Sequence, residues 1–126
     1  RITQRPGKPF WYGVKNNKPV FAFPGNPIST FVNCLAYFYP WYYKSVGIKV
    51  KEEMAILGED VSFKPSLTYF LQVKLHQKEG KLYATPAAGK GSGDLANLID
   101  ADAFLELPDD KTEFKKGTVF PILLYR

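Results

Sequence analysis

Two stretches of the sequence combine residue types that bind anions. In the first, Pro24-Gly25-Asn26-Pro27-Ile28-Ser29, an asparagine stands before a proline. Asparagine is a favoured N-cap, and proline suits the first helical position. A helix that starts there presents unpaired N–H groups and the positive end of its dipole. That arrangement suits an oxyanion, and Ser29 adds a hydroxyl within the first turn. The same residues also read as an ordinary capped helix whose prolines shape a turn, and spacing alone leaves both readings open. The second stretch is Arg5-Pro6-Gly7-Lys8-Pro9, with Arg1 four positions before Arg5. Guanidinium groups meet phosphate-like oxyanions with two parallel hydrogen bonds. A solvated basic loop is the alternative. Charge links the two stretches. Residues 1–50 contain seven basic residues and no acidic one, whereas residues 51–126 contain ten basic and twelve acidic. With no carboxylate nearby to neutralise these loops, an anionic ligand accounts for the pattern better than chance.

Other candidates carry less. Gly89-Lys90-Gly91-Ser92-Gly93-Asp94 has the composition of a phosphate loop but not the order GxxxxGK[ST]. A loop capped by Ser92 or Asp94 before a short helix fits better. Tyr37, Phe38, Tyr39, Trp41, Tyr42 and Tyr43 could stack on bases, but their helical spacing favours core and interface. Part of this cluster should pack against further chain or a partner. His76 reads as solvent-facing, Cys34 as buried and inert. Asp100, Asp102 and Glu106 are spaced acids that read as surface charge rather than a metal site.

The elements that must position these residues follow from pattern. Residues 5–9 cannot be helix or central strand, because two prolines lack donors. Phe10–Tyr12 reads as a short strand, Lys15–Lys18 as a turn, and Val20–Phe23 as a strand buried on both faces. From Pro27, Ile28, Phe31, Val32, Leu35, Tyr39, Tyr42, Tyr43 and Val46 keep helical spacing. This predicts one helix, kinked near Pro40 and ending at Gly47. Strand, tight loop and helix make half of a parallel α/β unit.

Beyond Ile48 the texture changes. Residues 48–57 alternate weakly, as an edge or half-exposed strand would. Tyr69–Gln77 puts Phe70, Gln72, Lys74 and His76 on one face and Leu71, Val73 and Leu75 on the other. Glu79-Gly80 turns the chain into Lys81–Thr85, Asp94–Ala101 suits one or two helical turns, and Phe104–Leu107 and Val119–Tyr125 read as strands. Short strands at this spacing predict a small β-barrel or sandwich.

Composition bounds the rest. At 14.3 kDa a folded chain should expose roughly 6,800 Å². One cysteine and one histidine exclude an internal disulfide and a multi-histidine metal site. No apolar run approaches the ~20 residues of a membrane span, and the start lacks a secretory signal. We expect a fragment of a longer cytoplasmic protein.

Arg-Pro-Gly-Lys-Pro-Phe (5–10), a short hairpin, then Phe-Pro-Gly-Asn-Pro-Ile-Ser-Thr-Phe (23–31) resembles the MoeA/gephyrin family of molybdopterin molybdenumtransferases. The segment 91–108, Gly-Ser-Gly-Asp-Leu through Phe-Leu-Glu-Leu-Pro, is similar to that family's C-terminal domain. The resemblance implies a fold: residues 1–47 as the C-terminal end of the molybdopterin-binding α/β domain, and residues 48–126 as a small all-β barrel. It also implies a reaction, in which molybdenum from molybdate enters adenylylated molybdopterin with release of AMP and help from Mg²⁺.

The positions matching the family's site are Arg1, Arg5, Pro24, Pro27 and Ser29. Many members have lysine at the first two. By the same resemblance Arg1, Arg5, Lys8 and the amides after Gly25 and Asn26 would hold molybdate or a pterin phosphate, with Ser29 donating a hydrogen bond. The catalytic and metal-binding carboxylates would lie upstream, so no catalytic or metal-ligating residue is expected in this chain. The chain alone should be inactive. The implied partners are an anionic small molecule, the upstream domains and, at full length, a second copy, with neither nucleic acid nor membrane. A basic nucleic-acid-binding or oligomerisation module is the alternative.

Overall fold

The computed structural model describes residues 3–87 and 95–126. The predicted Gly89–Gly93 loop, Asp94 and the position of Arg1 lie outside these residues.

The long strand β6 (Thr68–Lys78) organises the chain. Its alternation resolves into two buried faces. Val73, flanked by Tyr69, Leu71 and Leu75, points into one core, and Phe70 into another. The strand pairs antiparallel with β7 (Lys81–Pro86) along its second half and with β8 (Ala103–Leu107) along its first. The β6–β7 connection is a two-residue turn in which Glu79 and Gly80 take φ of 52° and 74°, the mirror-image turn that matches strand twist. β7 pairs parallel with β4 (Glu53–Leu57), β4 antiparallel with β10 (Val119–Leu124), and β10 antiparallel with β8. The sheet order β6-β7-β4-β10-β8 thus returns to β6 and closes a five-stranded barrel. Closure leaves these strands no open edge where they pair.

Inside the barrel lie Ala55, Leu57, Val73, Ala84, Leu105, Leu107 and Ile122. A short ribbon, β5 (Val61–Ser62) against β9 (Glu113–Phe114), adds Phe114 to this core. Its ring meets Phe120 edge-on at 5.8 Å. Strand β8 is buried on both sides. Leu105 faces the barrel, and Phe104 faces outward into a second cluster with Ile28, Val32 and Phe70. That outer cluster is where the N-terminal half docks, with the short helix α3 (Leu95–Asp100) contributing Leu98.

The N-terminal half consists of β1 (Gln4–Arg5), the hairpin β2 (Trp11–Lys15) and β3 (Lys18–Ala22), and a continuous helical run. The run comprises α1 (Pro27–Asn33), a π turn (Cys34–Phe38) and α2 (Tyr39–Ser45). The expected kink at Pro40 takes the form of this π turn. Proline clashes with the carbonyl four residues back, and the Tyr39 N–H reaches instead to the Cys34 carbonyl, five residues back. The helix ends as predicted around Gly47, whose φ is +76°. Ile48 N–H bonds the Tyr43 carbonyl at 2.8 Å and Gly47 N–H that of Lys44 at 3.3 Å, the paired bonds of a glycine-terminated helix.

Four expectations need correction. Val20–Phe23 is not buried on both faces: β3 alternates between exposed and half-buried residues, because only one of its faces meets the helix. Its pairing among the described residues is antiparallel, with β2, so the parallel α/β unit is not formed within them. Cys34 is half-buried rather than buried, and that burial still pushes its thiol pKa up. The weak strand expected over 48–57 is confined to Glu53–Leu57. The structure also shows what pattern did not: β1 pairs parallel with the start of β6, Gln4 opposite Thr68. A strand of two residues gives no periodicity to read.

The exposed surface is 8148 Å², well above the expectation for this mass. Part of it is apolar side chain on the hairpin and α2. Trp11 is 57% exposed, Val14 63% and Tyr42 46%.

Glu106 lies half-buried beside a groove of about 920 Å³ between α2, residues 48–53 and β10. Burial, then the Glu52 carboxylate, push its carboxyl pKa up. The folded chain therefore holds this proton more tightly than the unfolded one. Stability from this group is full below the ordinary carboxyl value of about 4.3. It is lost as pH rises through the raised folded value. Glu106→Gln should raise the melting temperature near neutral pH and leave it little changed near pH 4, which thermal melts across that range will check. Phe104→Ala should cost about 3–5 kcal/mol, seen as a lower urea midpoint, because it empties the contact between barrel and helix.

Candidate anion-binding site

The first stretch forms as its residues dictate. Asn26 takes extended backbone angles (φ −72°, ψ 125°), and its Oδ1 accepts from the Ser29 N–H at 3.1 Å. The Asn26 carbonyl accepts from Thr30 N–H at 3.0 Å, and the Thr30 hydroxyl donates to the Pro24 carbonyl. The Pro24–Pro27 turn is thereby tied to the helix at two points. Gly25, Asn26 and Pro27 are exposed, Pro24 half-buried and Ser29 buried. Nothing stands within 4 Å of where a Gly25 side chain would begin, so a ligand can approach that backbone.

The second stretch is held from beneath. The chain enters it through β1 and passes cis bonds at Arg5–Pro6 and Lys8–Pro9. Pro6 and Gly7 are buried, Arg5 and Lys8 exposed. Gly7 adopts φ +112°, a region open to glycine and hard for other residues. A side chain there would also run into the Gln4 amide and into Asn33.

Four hydrogen bonds make the bracket. Gln4 is 2% exposed and Asn33 fully buried. Gln4 Nε2 donates to the Pro6 carbonyl at 2.9 Å and to Asn33 Oδ1 at 2.8 Å. Asn33 Nδ2 donates to the Gly7 carbonyl at 3.1 Å, and the Tyr37 hydroxyl donates to Gln4 Oε1. Sequence reasoning missed Gln4 and Asn33, and placed Tyr37 only among the aromatics. The available signal was spacing: Ser29, Asn33 and Tyr37 recur every four residues, so a polar line runs down a helix otherwise read by its apolar positions.

The basic loop thus docks on the same helix that Asn26 caps. Asn33 lies two turns beyond the cap, roughly 10 Å along the axis at 1.5 Å per residue. Arg5 sits opposite Tyr69 in the β1–β6 pairing. Burial pushes the Tyr69 hydroxyl pKa up and the nearby Arg5 charge pulls it back. Phe10 leads out of the loop and stacks on Tyr37 at 5.0 Å. Phe21 packs edge-on against Phe38 and Trp41. The hairpin is therefore fastened to the helix by rings, and the aromatic cluster works here as packing.

Two of the remaining candidates have structural partners. His76 is exposed and stacks on Tyr83 at 5.5 Å. Asp102 Oδ2 accepts from the Leu75 N–H at 2.9 Å. Among the described residues no three His, Cys, Asp or Glu side chains are grouped to hold a metal, and no helix is long and apolar enough to cross a membrane.

Residues 54–125 match the family model described as the MoeA C-terminal region, domain IV. The molybdopterin molybdenumtransferase of Synechocystis is 38% identical over 123 residues, covering 95% of this chain and 29% of the relative. That of Bacillus subtilis is 28% identical, covering all of this chain and 30% of the relative. The crystal structure of the molybdopterin biosynthesis MoeA protein from Pyrococcus horikoshii superposes with a TM-score of 0.74 at 32% identity, over 98% of this chain and 31% of the other. The chain spans about a third of these proteins' length. Its barrel, its motifs and these matches agree, and the chain belongs to the MoeA family, with that family's C-terminal region at residues 54–125.

Proposed function

We propose that this chain is the C-terminal part of a molybdopterin molybdenumtransferase and supplies one wall of the site where molybdenum enters adenylylated molybdopterin. The observation that carries the reading is the pair of anion-friendly loops fixed to one helix, in a half of the chain with no carboxylate. Arg5 and Lys8, with Arg1, would attract molybdate or the pterin phosphate. The backbone N–H groups of Asn26 and Ile28 would donate to an oxyanion at the helix start, since Pro27 has no N–H and that of Ser29 is bonded to Asn26 Oδ1. Pro24 and Pro27 shape that turn, and Ser29 would add a hydroxyl.

The basic loop is held at Asn33, about two turns along the helix from the cap at Asn26, and an extended anionic substrate would suit such an arrangement better than a single small oxyanion. Mg²⁺ does not fit these residues. A hard dication needs oxygen ligands, several of them carboxylate, and the loops offer cations and N–H donors. Its ligands would belong to upstream polypeptide. The surplus apolar surface on the hairpin and α2 supports such further polypeptide, or a second copy, packing there. Residues 1–47 would then complete the α/β domain and residues 48–126 remain the barrel domain. The cytoplasm suits this chemistry.

In the full-length enzyme, Arg5→Ala should raise the KM for molybdate or pterin about tenfold with little change in melting temperature. Loss of stability with unchanged kinetics would make the loop purely structural. The 126-residue chain alone should show no molybdenum insertion, and turnover by it would refute the placement of the catalytic carboxylates upstream. Steeply salt-dependent binding without preference for molybdate or pterin would favour a nucleic-acid module instead.

A further inference from the structure

Asn33 is itself out of a ligand's reach. It is fully buried, one turn below Ser29 on the helix. Yet both ends of its amide are used across a long stretch of sequence: Oδ1 accepts from Gln4 Nε2, and Nδ2 donates to the Gly7 carbonyl. Gln4 passes the connection to the Pro6 carbonyl and is held in turn by the Tyr37 hydroxyl. The loop carrying Arg5 and Lys8 therefore does not find its place by its own stiffness. It is referenced to the helix whose first turn carries Asn26 and Ser29.

Apolar contact would have filled the same volume without direction. A buried amide bonded at both ends fixes distance and angle, and leaving either partner unpaired is costly. Gly7 agrees, since no side chain fits between Gln4 and Asn33 at φ +112°.

We infer that Asn33 is a positioning residue of the anion site: through Gln4 and the Gly7 carbonyl it sets the basic loop, and hence Arg5, against the capped helix start. The inference rests on the functional reading above.

Two measurements on Asn33→Ala in the full-length enzyme test it. Amide hydrogen exchange at the buried Gly7 should quicken about tenfold or more while the barrel strands stay protected. The KM for molybdate should rise about tenfold with kcat nearly unchanged. In an Arg5→Ala background the same substitution should add little further, because residues acting through one loop are not additive. Tyr37→Phe keeps the ring and removes one bond, so it should shift both readouts the same way by less, and it serves if Asn33→Ala does not fold. Unchanged exchange overturns the inference. Faster exchange with unchanged KM, while Arg5→Ala raises KM, overturns it and leaves the anion reading intact. Additive effects also overturn it. If Arg5→Ala leaves KM untouched, the anion reading itself fails, and Asn33 is reduced to packing.

Discussion

Five residue pairs, from Tyr69 opposite Leu107 to Val73 opposite Ala103, join β6 to β8 and close the sheet on itself. That pairing makes both strands two-sided. Their inward residues, such as Val73 and Leu105, fill the barrel. Their outward residues, Phe70 and Phe104, have no water-exposed role and need a cover. The helix supplies it with Ile28 and Val32, both fully buried. A five-stranded barrel of this size cannot bury large rings on its outside by itself, so the helix is part of the barrel's stability as much as the barrel is part of the helix's.

The consequence reaches the loops. Because α1 is seated on β6 and β8, the capped turn at Asn26 has a fixed place. Because β1 pairs with the start of β6, the basic loop is anchored where it begins, and the Gln4–Asn33 bracket holds its middle through the Pro6 and Gly7 carbonyls. The polar bracket and the apolar cluster lie on successive sides of one short helix. The same helix thus carries a packing face and a loop-holding face. The boundary near residue 47, clear in charge and texture, is bridged by the packing face and by the β1–β6 pairing.

Much of this was legible in residue patterns. The N-cap at Asn26, the helix end at Gly47, the turn at Glu79-Gly80 and the alternation of β6 each depend on neighbours within a few positions, where local preference and periodicity speak plainly. Two kinds of feature were not legible. Strands of two residues, β1 and β9, are too short to show a period and exist only through distant partners. Buried polar residues such as Gln4 and Asn33 look solvated until the groups that satisfy them are known. Strand β3 misled for a related reason: an unbroken apolar run signals burial on two faces, and in this chain only one face is covered.

The β1–β6 pairing also orders events in time. Gln4 pairs with Thr68, 64 positions later, and Val32 packs on Phe104. Contacts of such long sequence separation form late, after the entropy of closing the intervening loop has been overcome. During synthesis the basic loop emerges well before its strand partner and stays unplaced until β6 has been made. The residues read as the ligand-facing part of the chain are thus made before the strand that gives them a defined position.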